Sequence, residues 1–248
     1  MQNYYQNKNI LIIGGSFGIG ENLCYKLDKL GANLIISARS NDKLNNLCHK
    51  LEGDQLSIKC DITKKTDLKN LQKQIFDKWT QIDIIIFCAG IYQPMNLKNF
   101  NLKQAKNILD VNFNSFLSFL DSFLNDFKEE RIKHLAVISS VASYFGMPNS
   151  LAYGASKAGL SHLTESLFYE LKKYQTKVQL INPGFVETRL TAKNNFKMPW
   201  IISSQKAANI ILIKLPKKQF EISFPWIFVC ILKLLQKLPY KLRLLLFK

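Results

Sequence analysis

The stretch Ile10-Leu11-Ile12-Ile13-Gly14-Gly15-Ser16-Phe17-Gly18-Ile19-Gly20 decides the fold. Four consecutive aliphatic residues read as a short strand buried on both faces, as in a parallel sheet, and they run straight into a glycine-rich turn. Apolar residues then recur at helical spacing over residues 19–30 and stop at Gly31, a helix terminator. The pattern repeats outward. Strands are expected at 33–38, 56–59, 82–88, 135–139, 177–182 and 220–223, and helices at 43–51, 67–79 and 153–174. Residues 102–127 carry one or two more helices with an apolar stripe. Regular alternation of strands and helices describes an α/β, doubly wound, mostly parallel seven-stranded sheet with helices on both faces. The 248 residues suit one such domain, and no repeat or linker divides them.

The glycines fall at Gly14, Gly18 and Gly20, between a strand and a helix, with Ser16, Phe17 and Ile19 completing the turn. There they let backbone N–H groups and the helix N-terminus approach a dinucleotide pyrophosphate. Open parallel sheets bind ligands beyond the carboxyl ends of their strands. Ala89-Gly90, Ser140 and Pro183-Gly184 all fall at such ends. Tyr153 and Lys157, four residues apart, lie on one face of a helix, so a phenol and an ammonium stand side by side. A fixed cation favours the phenolate and moves the group towards neutral pH, where acid/base catalysis is efficient. Ser140 can polarise a carbonyl by hydrogen bonding. The combination describes a nicotinamide-dependent carbonyl/alcohol oxidoreductase.

In this order, with Asn112 between turn and serine, the motifs resemble the short-chain dehydrogenase/reductase family over roughly residues 8–191. The resemblance implies a Rossmann-like fold. The family's Thr-Gly-x-x-x-Gly-Ile-Gly turn is matched by Gly14, Gly18, Ile19 and Gly20, with Ile13 in the threonine place, and its Asn-Asn-Ala-Gly element appears as Phe87-Cys88-Ala89-Gly90. Carried over to this chain, Tyr153 is the acid/base and Lys157 holds the nicotinamide ribose and lowers the phenol pKa. Ser140 positions the substrate carbonyl, and Asn112 fixes a water in a proton relay. Asp61, followed by Ile62, matches the adenine-contacting aspartate; Pro183, Gly184, Val186 and Thr188 match the segment beside the carboxamide. The resemblance also implies a homo-oligomer.

The end of the second strand selects the cofactor. An acid there binds the ribose 2′-hydroxyl of NAD, and a base accepts the 2′-phosphate of NADP. This chain has Arg39-Ser40 and no acid, which favours NADP (as NADPH) over NAD, although Phe17 stands where NADP-preferring relatives often carry a second basic residue. The net charge of +16 would suit nucleic acid, an anionic membrane or an acidic carrier protein. Nearly all of it is lysine spread at helical spacing, without the arginine-aromatic patch of a nucleic-acid reader, so no nucleic-acid partner is expected. Cys24, Cys48, Cys60, Cys88 and Cys230 form no CxxC pair, and His49, His134 and His162 have no metal spacing; no metal is expected. With no signal peptide, the expected location is cytoplasmic.

Two segments stay open. Residues 185–204, with Phe196, Met198, Pro199 and Trp200, form either a mobile apolar lid over a substrate pocket or an ordinary surface loop with a helix of its own. The domain is expected to span 1–224, followed by an amphipathic basic tail, 225–248. No acid follows Glu221, and Lys233, Lys237 and Lys241 alternate with leucines. The tail reads either as an interfacial helix on the inner face of an anionic membrane or as a helix packed on the pocket or a partner subunit. The apolar lid and tail point to a hydrophobic, lipid-like ketone or secondary alcohol. The alternatives are a 3-oxoacyl carrier-protein reductase and a catalytically idle, membrane-attached NADP-binding protein.

Overall fold

The apolar runs of the sequence form the interior of a single parallel sheet in the computed structural model, which describes residues 2–53 and 55–246; residues 247–248 of the expected tail lie outside the described residues. The strands are β1 (Asn9–Ile13), β2 (Asn33–Ala38), β3 (Gln55–Lys59), β4 (Ile84–Phe87), β5 (His134–Ile138), β6 (Lys177–Pro183), β7 (Val186–Glu187), β8 (Ile202–Ser203) and β9 (Glu221–Phe224). Seven of them pair in the order β3-β2-β1-β4-β5-β6-β9, all parallel, with the order reversing direction at β1/β4.

The helices are α1 (Gln2–Tyr5), α2 (Gly18–Lys29), α3 (Asn41–Cys48), α4 (Lys65–Lys78), α5 (Leu102–Leu109), α6 (Ser115–Ser122), α7 (Leu124–Lys128), α8 (Leu151–Lys172), α9 (Ser204–Lys214), α10 (Trp226–Lys237) and α11 (Tyr240–Leu245). Alternate strand residues face opposite ways, so each strand feeds two cores. Ile10, Ile12, Leu34, Ile36, Ile84 and Ile86 pack with Leu23 and Leu27 of α2, Leu44 of α3 and Ile211 of α9. Leu11, Ile13, Ile35, Ile85 and Phe87 pack on the other face with Leu71 of α4, Phe116 and Phe119 of α6 and Leu160 of α8. The doubly wound expectation is met.

Local differences have local causes. The fourth strand begins at Ile84, not at 82, because the Asp83 carboxylate accepts the Asn9 N–H at 2.9 Å and Ile82 makes only an isolated bridge to Ile132. Residues 102–127 form three helices, with a π-helical turn at Asp110–Asn114 between α5 and α6. Residues 185–204 are clasped at the base, where β7 pairs with β8, and α9 follows directly. The expected tail is helical: the inner side of α10, at Phe228, Val229 and Leu232, packs on Val141 and Phe145 of the loop after β5.

Candidate active site

Every parallel strand ends at the same edge of the sheet, so the loops after β1, β2, β3, β4, β5 and β6 share one cleft of about 350 Å³. Close approach of backbone to backbone shapes its floor. Gly14 has φ +90°, and a Cβ there would lie 2.7 Å from both the Cα and the N of Ala89. Gly18 has φ +62°, and its Cβ would press on the Thr188 methyl at 3.1 Å. A Cβ at Gly20 would meet the Gly14 carbonyl oxygen at 2.4 Å. Only glycine therefore lets the turn fold back beneath the start of α2, leaving a side-chain-free trough at a helix N-terminus, the place a pyrophosphate fits.

Of the expected residues, Gly14, Ser16, Phe17, Gly18, Ile19, Arg39, Ser40, Asp61, Ile62, Ala89, Gly90, Ser140, Tyr153, Lys157, Pro183, Gly184, Val186 and Thr188 line the cleft. Gly20 and Asn112 stand behind its wall. Gly20 packs helix against turn. Asn112, fully buried in the π-helical turn, clamps the loop after β4: its Oδ1 accepts the Ile91 N–H at 2.8 Å, and its Nδ2 donates to the Ile91 carbonyl at 2.9 Å and to Ser156 Oγ at 3.1 Å. A π turn often marks a functional position in a helix, and here it turns Asn112 inward.

The loop after β5 and helix α8 bring the polar groups together. Lys157 is 4 % exposed, and its Nζ donates to the Ile138 carbonyl at 3.0 Å. A Cβ on Gly90 would lie 3.5 Å from that Nζ and 3.4 Å from Asn112 Oδ1, so Gly90 leaves these two side chains room beside the cleft. Ser140 caps a short 3₁₀ turn, accepting the Ala142 N–H at 3.1 Å, and is hydrogen bonded to Tyr153. The Tyr153 ring lies edge-on to Tyr92, with centroids 4.8 Å apart.

Burial sets the acidities. It pushes the Tyr153 phenol up to about 12, against the opposing pull of Ser140. It pushes the Lys157 ammonium down to about 8. The Lys157 ammonium donates to the Ile138 carbonyl, and at Tyr153 loss of hydration outweighs the hydrogen bond from Ser140. At Asp61 burial alone would raise the pKa, but hydrogen bonds from the Thr63 side chain (2.7 Å) and N–H (3.1 Å), with the charges of Arg39 and Lys64, hold the carboxyl below its ordinary range.

Sequence reasoning missed several groups at the cleft. Lys43 lines it from the first turn of α3, near Arg39 and Ser40. The Arg189 guanidinium lies 4.3 Å above the Phe17 ring, so a cation covers the one turn position where a basic residue is missing. Tyr92 donates from its hydroxyl to Asn194 Oδ1 at 2.7 Å, pinning residues 188–201 across the opening. Phe185 stacks on Phe228 of α10 at 5.5 Å, and both line the cleft. The spacing of Lys43 four residues after Arg39 was the only one of these signals present in the sequence. Among the described residues no cluster of His, Cys, Asp or Glu could hold a metal.

The family model for short chain dehydrogenase matches residues 8–199. The chain belongs to the short-chain dehydrogenase family. An uncharacterized oxidoreductase of Staphylococcus epidermidis is 28 % identical over 210 residues, covering 85 % of this chain and 91 % of that protein. A short-chain dehydrogenase from Burkholderia cenocepacia, crystallised with NADP, superposes with a TM-score of 0.86 at 20 % identity, covering 98 % of this chain and 99 % of that one. One from Burkholderia phymatum, crystallised with NAD, superposes with a TM-score of 0.83 at 16 % identity, covering 92 % of each. The protein is thus a nicotinamide-dependent dehydrogenase/reductase of the short-chain family.

Proposed function

We propose that this dehydrogenase uses NADP to interconvert an apolar ketone and its secondary alcohol. The observation that carries the reading is the convergence of Ser140, Tyr153 and Lys157 on one cleft, with Asn112 behind it and the glycine trough along its floor. When bound, the nicotinamide supplies the hydride. Tyr153 Oη delivers or takes the substrate proton, and Ser140 donates a hydrogen bond to the carbonyl oxygen. Lys157 binds the nicotinamide ribose and replenishes the proton. Asn112 holds the loop carrying Gly90 and Ile91 and orients a water in the relay. Gly14, Ser16, Gly18 and Ile19 receive the pyrophosphate, Asp61 and Ile62 the adenine, and Pro183, Gly184, Val186 and Thr188 the carboxamide. Arg39 and Ser40, joined by Lys43, take the 2′-phosphate; Arg39 just after β2 and Lys43 at the start of α3 both line the cleft, whereas Asp42 between them does not, which supports NADP over NAD.

Phe185, Phe196, Met147 and Phe228 give the far end of the cleft an apolar lining, which supports a hydrophobic, lipid-like substrate. The protein would work in the cytoplasm as a homo-oligomer; exposed Leu102 on α5 and Leu151 on α8, two helices packed together, offer an apolar face for pairing. The test is oxidation of NADPH and of NADH against ketones of increasing chain length. NADPH is expected to be preferred, and kcat/KM to rise about fourfold per methylene until the pocket is filled. Equal kcat/KM for small polar and long-chain ketones would overturn the apolar substrate, and preference for NADH the cofactor assignment.

A further inference from the structure

Helix α10 is apolar almost all the way round, yet only one side of it is covered. Phe228, Val229 and Leu232 face the fold, while Trp226 (72 % exposed), Ile227, Cys230, Ile231 and Leu234 (66 % exposed) face outward. The outward residues recur at i, i+1, i+4, i+5 and i+8, one continuous stripe. Beyond Pro239, α11 exposes Tyr240, Leu242, Leu244 and Leu245 and buries Arg243. Lys237 and Lys241 stand exposed where the helices meet. No carboxylate occurs between residues 222 and 246. The nearest one, Glu221, is consumed internally: it pairs with Lys233 and accepts hydrogen bonds from Tyr144 (2.5 Å) and Asn182 (2.9 Å).

We propose that this face of α10 and α11 lies on an anionic lipid bilayer, with the apolar stripe among the acyl chains and Lys237 and Lys241 at the headgroups. Charge complementarity selects this occupant. A second copy of the chain set against the same face would bring the lysines of both copies together with no acid to separate them. An anionic surface attracts each lysine and admits the leucines and Trp226 beneath it. No helix among the described residues is long and apolar enough to cross a membrane, so the contact is peripheral. Its consequence for the enzyme lies one helix diameter away. Phe228, on the inner side of α10, lines the cleft and packs on Trp200, itself 46 % exposed on the loop over the opening, with ring centroids 5.8 Å apart. The bilayer would thus adjoin the apolar end of the cleft and supply a membrane-dissolved carbonyl compound, a deepening that rests on the apolar-substrate reading above.

The test is co-flotation of the full chain with phosphatidylcholine vesicles with and without phosphatidylglycerol. Binding is expected to be at least about tenfold stronger with phosphatidylglycerol and to weaken with salt. Leu234→Glu should reduce it about tenfold, and the surface pair Lys237→Glu/Lys241→Glu at least as much, with the melting temperature of the pair variant unchanged. Equal, weak binding to both vesicle types would overturn the proposal. So would Leu234→Glu dissociating an oligomer whose parent binds no vesicles. Vesicle binding by an enzyme that turns over no long-chain ketone would uphold this surface and overturn the substrate reading alone.

Discussion

Replacing Lys157 by methionine should make the protein more stable at neutral pH while abolishing its activity. The amine is 4 % exposed, and burial lowers its pKa from 10.5 to about 8. The unfolded chain therefore holds more protons than the folded one between those values. Lys157 charge thus costs stability fully below pH 8, and the cost fades as pH rises to 10.5. At about 1.4 kcal/mol per pH unit, the gap corresponds to about 3 kcal/mol at pH 7, falling to about 1.5 at pH 9.5. Methionine fills nearly the same space but leaves the Ile138 carbonyl without its 3.0 Å donor, a loss of about 1 kcal/mol. Lys157→Met should then gain about 2 kcal/mol at pH 7, or about 4–8 °C in Tm, and come close to parity at pH 9.5. Thermal unfolding of both proteins at the two pH values measures this directly. Lys177, also lowered to about 8 by burial, is common to both and cancels. A variant less stable by the same amount at both pH values would refute the reasoning, since it would mean that the buried ammonium carries no penalty.

Arg39→Ala is expected to raise KM for NADPH about tenfold or more, the loss of a charged hydrogen bond, and to leave KM for NADH little changed; equal effects in steady-state kinetics would remove the arginine from the 2′-phosphate. Gly14→Ala should cost at least about 2 kcal/mol, because its Cβ would lie 2.7 Å from the Ala89 backbone at φ +90°, and should abolish the rise in Tm on adding NADPH. An unchanged Tm would contradict the close approach of turn and strand end.

The strands were legible because a strand buried on both faces reads as a run of apolar residues, as 10–13 does before Gly14 and 34–36 does within the second strand. The cleft residues were legible for a related reason: chemistry sits at strand ends, and strand ends are marked by Gly14, Gly90, Ser140 and Gly184. Helix α9 escaped notice although Ser203 caps it, accepting the Lys206 N–H at 3.2 Å, because its buried positions, Ala207, Ala208, Ile211 and Leu212, follow a long loop. The π turn at Asn112 depends on packing, not on local preference. Acidity was the least legible property. Spacing alone set Lys157 beside Tyr153, whereas the direction of each shift depends on how much water the fold removes from the two groups, and burial acts on them in opposite senses. The role of α10 as a cleft wall likewise turns on Phe228 meeting Phe185, residues 43 positions apart in the chain.

The central claim is that Tyr153 is the proton donor of a carbonyl reductase, and Tyr153→Phe tests it most directly when NADPH oxidation and NADPH binding are measured on the same preparation. The expected result is a fall in kcat of about 100-fold or more with the NADPH dissociation constant within about twofold of the parent. Turnover that survives the substitution would contradict the account, because the phenol would then play no part in moving the proton.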